Sequence, residues 1–243
     1  MRNEYLDTNG QSSEIGVSGG TFNSLRSIYK TGLKNDDWSG NFGFASVETD
    51  NDRLNSKYEN LSSSFITERQ FGDGVSFNLL GLAYDSSFGS IGPTTFESLD
   101  AFQETDQFLV SPQFKIQSEL WDASLTYSYS EDDLYYYSSP FYETRSMTEQ
   151  EDLDLLLNMA LSDKSLIQIG TSYSTNRFLQ RGLTWLDGNN WEQASATLGI
   201  RHSISNDTTF YGNLRHDEYT DFDNSVTYDV TVRSILSDSF IAF

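Results

Sequence analysis

Residues 122–130 read DASLTYSYS, and this stretch decides the fold. Ala123, Leu125, Tyr127 and Tyr129 fall on one parity, and Ser124, Thr126, Ser128 and Ser130 on the other. Successive side chains of a β-strand point to opposite faces, so the stretch is apolar on one side and hydroxylated on the other. The period recurs along the chain. Leu153, Leu155, Leu157, Met159 and Leu161 alternate with Asp154 and Asn158. Ala194, Ala196, Leu198 and Ile200 alternate with Ser195, Thr197, Gly199 and Arg201. Val226, Tyr228, Val230 and Val232 alternate with Thr227, Asp229, Thr231 and Arg233. Phe108, Val110, Phe114 and Ile116 face away from Gln107, Ser111, Gln113 and Lys115. A helical repeat fits none of these windows as well.

Composition narrows what such strands can build. The 243 residues carry 15 Lys+Arg against 36 Asp+Glu, a formal charge of −21. That excludes a nucleic-acid partner held by counterion release, which needs a basic face. Cysteine is absent, which excludes disulfides, thiolate metal sites and a Cys nucleophile. His202 and His216 have no partner at metal-ligand spacing. Mean hydropathy is −0.50. No apolar run approaches the ~20 residues of a spanning helix, and the N-terminus lacks the segment order of a signal peptide. Hydrophobic residues make up 37% of the chain, below the ~45–50% of ordinary globular domains. Aromatics at 14% argue against disorder. A soluble acidic β protein and a membrane β-barrel both remain, because barrel strands need not be apolar on average.

Connection lengths separate the two. Short polar turns fall near 34–37, 70–74, 119–121, 162–164, 205–207 and 236–238, and longer connections near 51–57, 86–105, 131–147, 178–190 and 218–223. The expected strands are 14–34, 38–50, 57–69, 75–86, 106–118, 122–132, 148–161, 165–177, 190–204, 208–218 and 223–235, with a stub at 238–243. Short turn, long loop, short turn, long loop is the plan of an outer-membrane barrel, with tight periplasmic turns and long extracellular loops. The expected fold class is therefore all-β: an antiparallel up-and-down transmembrane β-barrel, here a partial barrel of about 12 strands occupying 1–243 as one segment. Trp38, Phe71 and Trp121 lie at short-turn ends, and Trp185, Trp191 and Tyr135 to Tyr137 near loop ends, as interface girdles require.

The stretch SEIGVSGGTFNSLRSIYKTGLKNDDWSGNFGFASVETDNDR, 13–53, resembles the early barrel of TonB-dependent outer-membrane receptors. The hairpin SATLGIRHSISNDTTFYGNLRHDEY, 195–219, has the same manner, and the nearest flavour is the vitamin B12 (cobalamin) receptor type. The resemblance spreads over nearly the whole chain as diffuse alternation plus that one stretch. It implies import of a bulky, scarce nutrient, cobalamin-like or siderophore-like, across the outer membrane of a Gram-negative bacterium. Outer-membrane lipid would surround the wall. TonB would act only through an N-terminal plug domain, which this sequence lacks, and the family's barrel of about 22 strands exceeds the strands found here. The chain accordingly reads as part of a receptor rather than an enzyme.

One set of candidate residues follows from the same resemblance, and two more from the residues themselves. Asp50, Asn51 and Asp52 form an acidic loop, and Tyr84-Asp85 and Asp100 bracket the next. In the cobalamin-receptor type matching loops bind calcium, so Asp50, Asp52, Asp85 and Asp100 are the implied ligands of a structural calcium, a cation that takes oxygen donors. A solvated acidic loop is the plainer reading of the same residues. EDDLYYYSSPFYE, 131–143, combines three carboxylates with Tyr135, Tyr136, Tyr137, Phe141 and Tyr142. In an extracellular loop these aromatics suit a bulky ligand, and equally an interface belt. Arg201, Arg215, Arg233 and Asp229 share the polar faces of consecutive strands, suited to cross-strand ion pairs or to a plug. The TFNS run at 21–24 reads as strand.

Two other readings stay open. A small self-contained porin-like channel would close on itself around a negative, cation-favouring lumen. A soluble acidic structural or adhesin protein would pack its apolar faces together as two sheets.

Overall fold

Alternation of this kind leaves each strand one apolar edge-row and one polar edge-row, and strands so patterned pair side by side with like faces together. The computed structural model describes residues 9–90, 92, 98–139, 141–182, 186–237 and 240–242, with side chains outside 186–188 and 235–242. Its strands are β1 (Gly10–Gly19), β2 (Leu25–Lys34), β3 (Trp38–Thr49), β4 (Tyr58–Gln70), β5 (Val75–Gly89), β6 (Phe102–Gln117) and β7 (Trp121–Ser139). They continue as β8 (Tyr142–Ser162), β9 (Ser165–Arg181), β10 (Leu186–Ser203), β11 (Thr208–Tyr219), β12 (Ser225–Ser237) and the short β13 (Phe240–Ala242). All lie in one antiparallel sheet in sequence order. Among the described residues β1 pairs only with β2 and β13 only with β12, so the sheet is open.

The register carries one face through the whole sheet. Phe42 lies opposite Phe65, Phe65 opposite Gly81, Gly81 opposite Val110 and Val110 opposite Tyr129. Farther along, Leu125 faces Leu155, Ile169 faces Leu198, and Leu214 faces Tyr228. No second sheet packs on this belt: Leu155 is 46% exposed and Val230 66%, and the buried apolar residues among those described are Ala45 and Ala101. Two-sheet packing, and with it the soluble sandwich, is thereby excluded for the described sheet. The other face curls around one open space of about 1230 Å³ lined by residues of β1 through β8.

Four expected elements are otherwise. The strand expected at 14–34 is the β1–β2 hairpin, turned at Thr21–Ser24. Ser24 donates its backbone N–H and its hydroxyl to the Thr21 carbonyl, at 3.1 and 2.6 Å. Phe22 and Asn23 take positive φ of 57° and 54°. Asparagine tolerates that region, but a phenylalanine there is strained. The Asp50 N–H docks on the Phe22 carbonyl at 2.9 Å and helps hold it. The loop expected at 131–147 is strand almost to its tip: β7 and β8 stay paired up to Ser139 and Tyr142. Likewise, the expected loops at 86–105 and 178–190 are shortened by β5, β6, β9 and β10.

The turns at the short end hold as expected. Asn35 Oδ1 accepts the N–H groups of Asp37 and Trp38 at 3.1 and 2.8 Å. Ser205 Oγ accepts those of Asp207 and Thr208 at 3.3 and 3.1 Å. Both are side chains closing a tight turn on their own backbone. Gly74, at φ 85°, lies where a Cβ would strike the Gln117 carbonyl.

Candidate functional site

The concave face is a polar wall, and its hydrogen bonds run across strands. Ser111 meets Ser128 at 2.8 Å, Gln113 donates to Thr126 at 2.9 Å, and Ser172 meets Ser195 at 2.5 Å. Asn158 donates to Asp122 at 2.8 Å and accepts from Gln168 at 2.9 Å. No buried side-chain polar atom among the described residues lacks a partner, as polar groups facing a partly enclosed space require. Arg215 donates through Nε to both oxygens of Asp217 at 2.9 and 3.1 Å, along its own strand rather than across it. Gln193 completes that site from β10 at 3.0 Å.

One region of the wall is apolar. Ile66 lies opposite Leu80 and Leu82 opposite Leu109, all four lining the large concave space. Alternation alone did not single them out. The signal was present in NLLGLAY, 78–84, where apolar residues occupy both parities of one strand.

Carboxylates are concentrated elsewhere. The wall carries both signs, with Lys30 beside Glu14 at 3.4 Å and Arg215 beside Asp217. A collar of acids including Glu48, Glu59, Asp85, Asp106, Glu131 and Glu149 sits on the outward face, above the apolar belt.

The expected aromatic cluster divides by strand parity. Tyr135 and Tyr137 share the outward face and pack on Phe102, with ring centroids 5.8 and 5.3 Å away. Tyr136 turns to the other face and meets Tyr142 edge-on at 6.2 Å. Phe141, at the hairpin tip, is 85% exposed. The five residues therefore form two groups and a tip, not one pocket. The Tyr135 hydroxyl donates to Glu143 at 3.0 Å, and burial together with that carboxylate pushes the phenol pKa up.

The implied calcium ligands are likewise dispersed. Asp85 lies within β5, opposite Asp106, not in a loop. The Asp50 carboxylate accepts the Asn23 amide at 2.6 Å, and Asp52 and Asp100 lie in the neighbouring loops. Among the described residues no three His, Asp or Glu side chains gather as a metal requires. What ties the loops together is Asn55, whose amide donates to the carbonyls of Ser98 and Ala101 at 2.9 and 2.7 Å.

Trp38 and Trp121 open β3 and β7 at the short-turn end, as expected of a girdle. Trp191 lies on the polar register of β10, opposite Asn176, and Trp185 lies outside the described residues. His202 Nδ1 pairs with Ser165 Oγ at 2.8 Å, and His216 sits on the belt register.

No protein-family model matches the sequence, and no curated protein matches it. Solved structures do. The alcaligin outer-membrane receptor FauA from Bordetella pertussis superposes with a TM-score of 0.76 at 11% identity, covering 99% of this chain and 43% of that one. The siderophore receptor PiuA from Acinetobacter baumannii gives 0.75 at 10% identity over 95% and 48%. The copper transporter OprC gives 0.69 at 11% identity over 98% and 44%. At such identities the likeness establishes the fold: this chain has the strand architecture of outer-membrane receptor barrels. It spans less than half the length of the structures it matches.

Proposed function

We propose that the chain forms part of the wall of an outer-membrane receptor that takes up a bulky, scarce nutrient of the siderophore or cobalamin kind. The observation that carries this reading is the pairing of a continuous outward apolar belt with a polar, curled inner face across the sheet. Only an apolar surrounding stabilises such a belt, and an unpaired backbone edge cannot face lipid. The remaining strands, and a plug driven by TonB, would come from the rest of the receptor. The chain's own part is to enclose the passage and to hold the loops at its mouth. The polar wall suits a plug that slides, because none of its buried side-chain polar atoms among the described residues is left without a partner and exchanging such contacts costs little net free energy. The Ile66–Leu82 patch suits the apolar part of the plug or ligand.

The test is uptake. A strain lacking the gene should fail to accumulate one labelled ferric siderophore or cobalamin, and collapsing the proton-motive force should abolish accumulation in the parent. Accumulation that survives the collapse, or conductance to small solutes by the purified protein alone, would replace the receptor with a passive channel.

A further inference from the structure

The inner face is a wall of hydroxyls and amides, and its aromatic side chains are not scattered over it. From β7 to β11 the described residues place six on that register: Tyr136, Tyr142, Phe178, Trp191, Tyr211 and Tyr219. Four of them share one diagonal, which moves one strand over and two residues toward the short-turn end at each step. Tyr136 faces Thr144, two residues above Ser146, and Ser146 faces Gln180. Phe178 stands two residues below Gln180 and faces Asn189. Trp191 stands two below Asn189, and Gln193, two below Trp191, faces Tyr219. Ser146 is the step without a ring, and Tyr142 of the same strand meets Tyr136 edge-on above it.

Diagonal neighbours on a sheet stand ~7–8 Å apart, so each ring presents its own face. None of the four is buried. The positions beside them are neutral hydrogen-bonding groups. Thr148 faces Phe178, Asn176 faces Trp191, and Gln193 donates to the Tyr219 hydroxyl at 3.3 Å. Two carboxylates border the foot of the line. Asp152 accepts from Gln150 at 2.9 Å, and Asp217 accepts from Gln193 and Arg215 at 3.0 and 2.9 Å. No lysine or arginine occupies the inner positions of β8 from 142 to 154, of β9 from 172 to 180 or of β10 from 189 to 199. An anionic ligand would meet carboxylates here, and the cation at the foot, Arg215, is already held by Asp217.

We propose that this diagonal is a binding track for a neutral saccharide chain. A sugar ring carries apolar C–H groups on its faces and hydroxyls around its rim. The faces stack on the aromatic rings, whose negative π-faces attract C–H groups. The rim hydroxyls exchange hydrogen bonds with the amides and donate to the two carboxylates, which only accept. The track lies on β7 to β11, apart from the Ile66–Leu82 patch, and is a site additional to the one given to the nutrient above. It rests on the reading that the inner face lines an aqueous passage.

The test is calorimetric titration of the full-length protein in detergent micelles with maltohexaose, cellohexaose and hexagalacturonate. At least one neutral hexasaccharide should bind, and hexagalacturonate should bind more weakly. Trp191→Ala should weaken the neutral sugar about tenfold, the scale of one lost stacking contact. Trp191→Tyr, which restores a ring, should recover most of that loss. Tyr211→Ala removes an inner-face ring off the diagonal and should leave the affinity unchanged. Absence of binding by both neutral hexasaccharides, tighter binding of hexagalacturonate, or equal losses in Trp191→Ala and Tyr211→Ala overturns the track. A protein that passes the uptake test above and binds neither neutral sugar loses the track alone. One that binds sugar through Trp191 and fails the uptake test keeps the track and loses the siderophore or cobalamin reading.

Discussion

The belt and the β7–β8 extension above it are made from the same two strands and held by different forces. In the belt, Leu125 faces Leu155 and Ala123 faces Leu157, side chains that contribute little unless lipid surrounds them. In the extension, Asp133 holds Arg145, Tyr135 holds Glu143, and Phe102 packs between Tyr135 and Tyr137. Those contacts work in water. Pairing thus persists past the point where the apolar pattern stops, because the backbone ladder continues wherever side chains on either face find partners.

The largest expected effect breaks the comparison directly. Leu155→Arg, mid-belt, should cost about 2–4 kcal/mol in a bilayer refolding titration, as a charge facing lipid does. Met147→Arg, four rungs up on the same face of the same strand, should stay within about 0.5 kcal/mol. Equal costs would mean that the boundary between belt and extension is misplaced.

Next comes packing inside the belt. A Cβ at Gly81 would strike the Phe65 ring, so Gly81→Ala should cost roughly 1–3 kcal/mol by overpacking, and Gly81→Ala with Phe65→Leu should recover most of it. In the extension, Arg145→Met leaves the nearly buried Asp133 without its cation. The loss should be about 1 kcal/mol, limited by the solvent around the arginine, and read as faster hydrogen exchange between Tyr135 and Arg145 with the belt unchanged.

Smaller still is the turn at the mouth. Phe22→Gly relieves a strained positive φ at an exposed residue, and should stabilise the β1–β2 hairpin by about 0.5 kcal/mol after the entropy of glycine is counted. The smallest effect is in pH. The hydrogen bond that Lys57 donates to the Glu59 carboxylate, with Glu48 also contributing, raises the pKa of Lys57 above its ordinary value. The raised folded-state value means the clamp is complete below the ordinary lysine pKa and is lost as pH rises through the raised one. Exchange protection at the start of β4 should therefore be flat through neutral pH and fall only under strongly alkaline conditions.

Most of the fold was legible because a two-residue period needs no tertiary information. The short-end turns were legible too, since Asn35 and Ser205 close them with their own side chains. The β1–β2 hairpin was not. Thr21, Phe22, Asn23 and Ser24 have strand-like composition, and the positive φ of Phe22 is held in part by the Asp50 N–H docked on its carbonyl from the next loop. The extension was missed for the opposite reason: its run of carboxylates and tyrosines looks like a loop, while its pairing depends on partners from β6 and β8. The candidate site suffered most. A run of three tyrosines looks like one cluster on paper, and strand parity sends Tyr136 to one face and Tyr135 and Tyr137 to the other.

By itself, the sequence determined which face of each strand is apolar, where the tight turns fall, and that cysteine and basic-patch chemistry are absent. Each follows from residues at most a few positions apart. Only the tertiary structure decided which rows align across the sheet. Register places Ser63 and Ala83 between Phe44 and Phe108, Asp85 against Asp106, and Ile66 and Leu82 on the inner wall. Those juxtapositions join residues from separate strands, and a slip of one position along any strand would have moved its side chains to the other face.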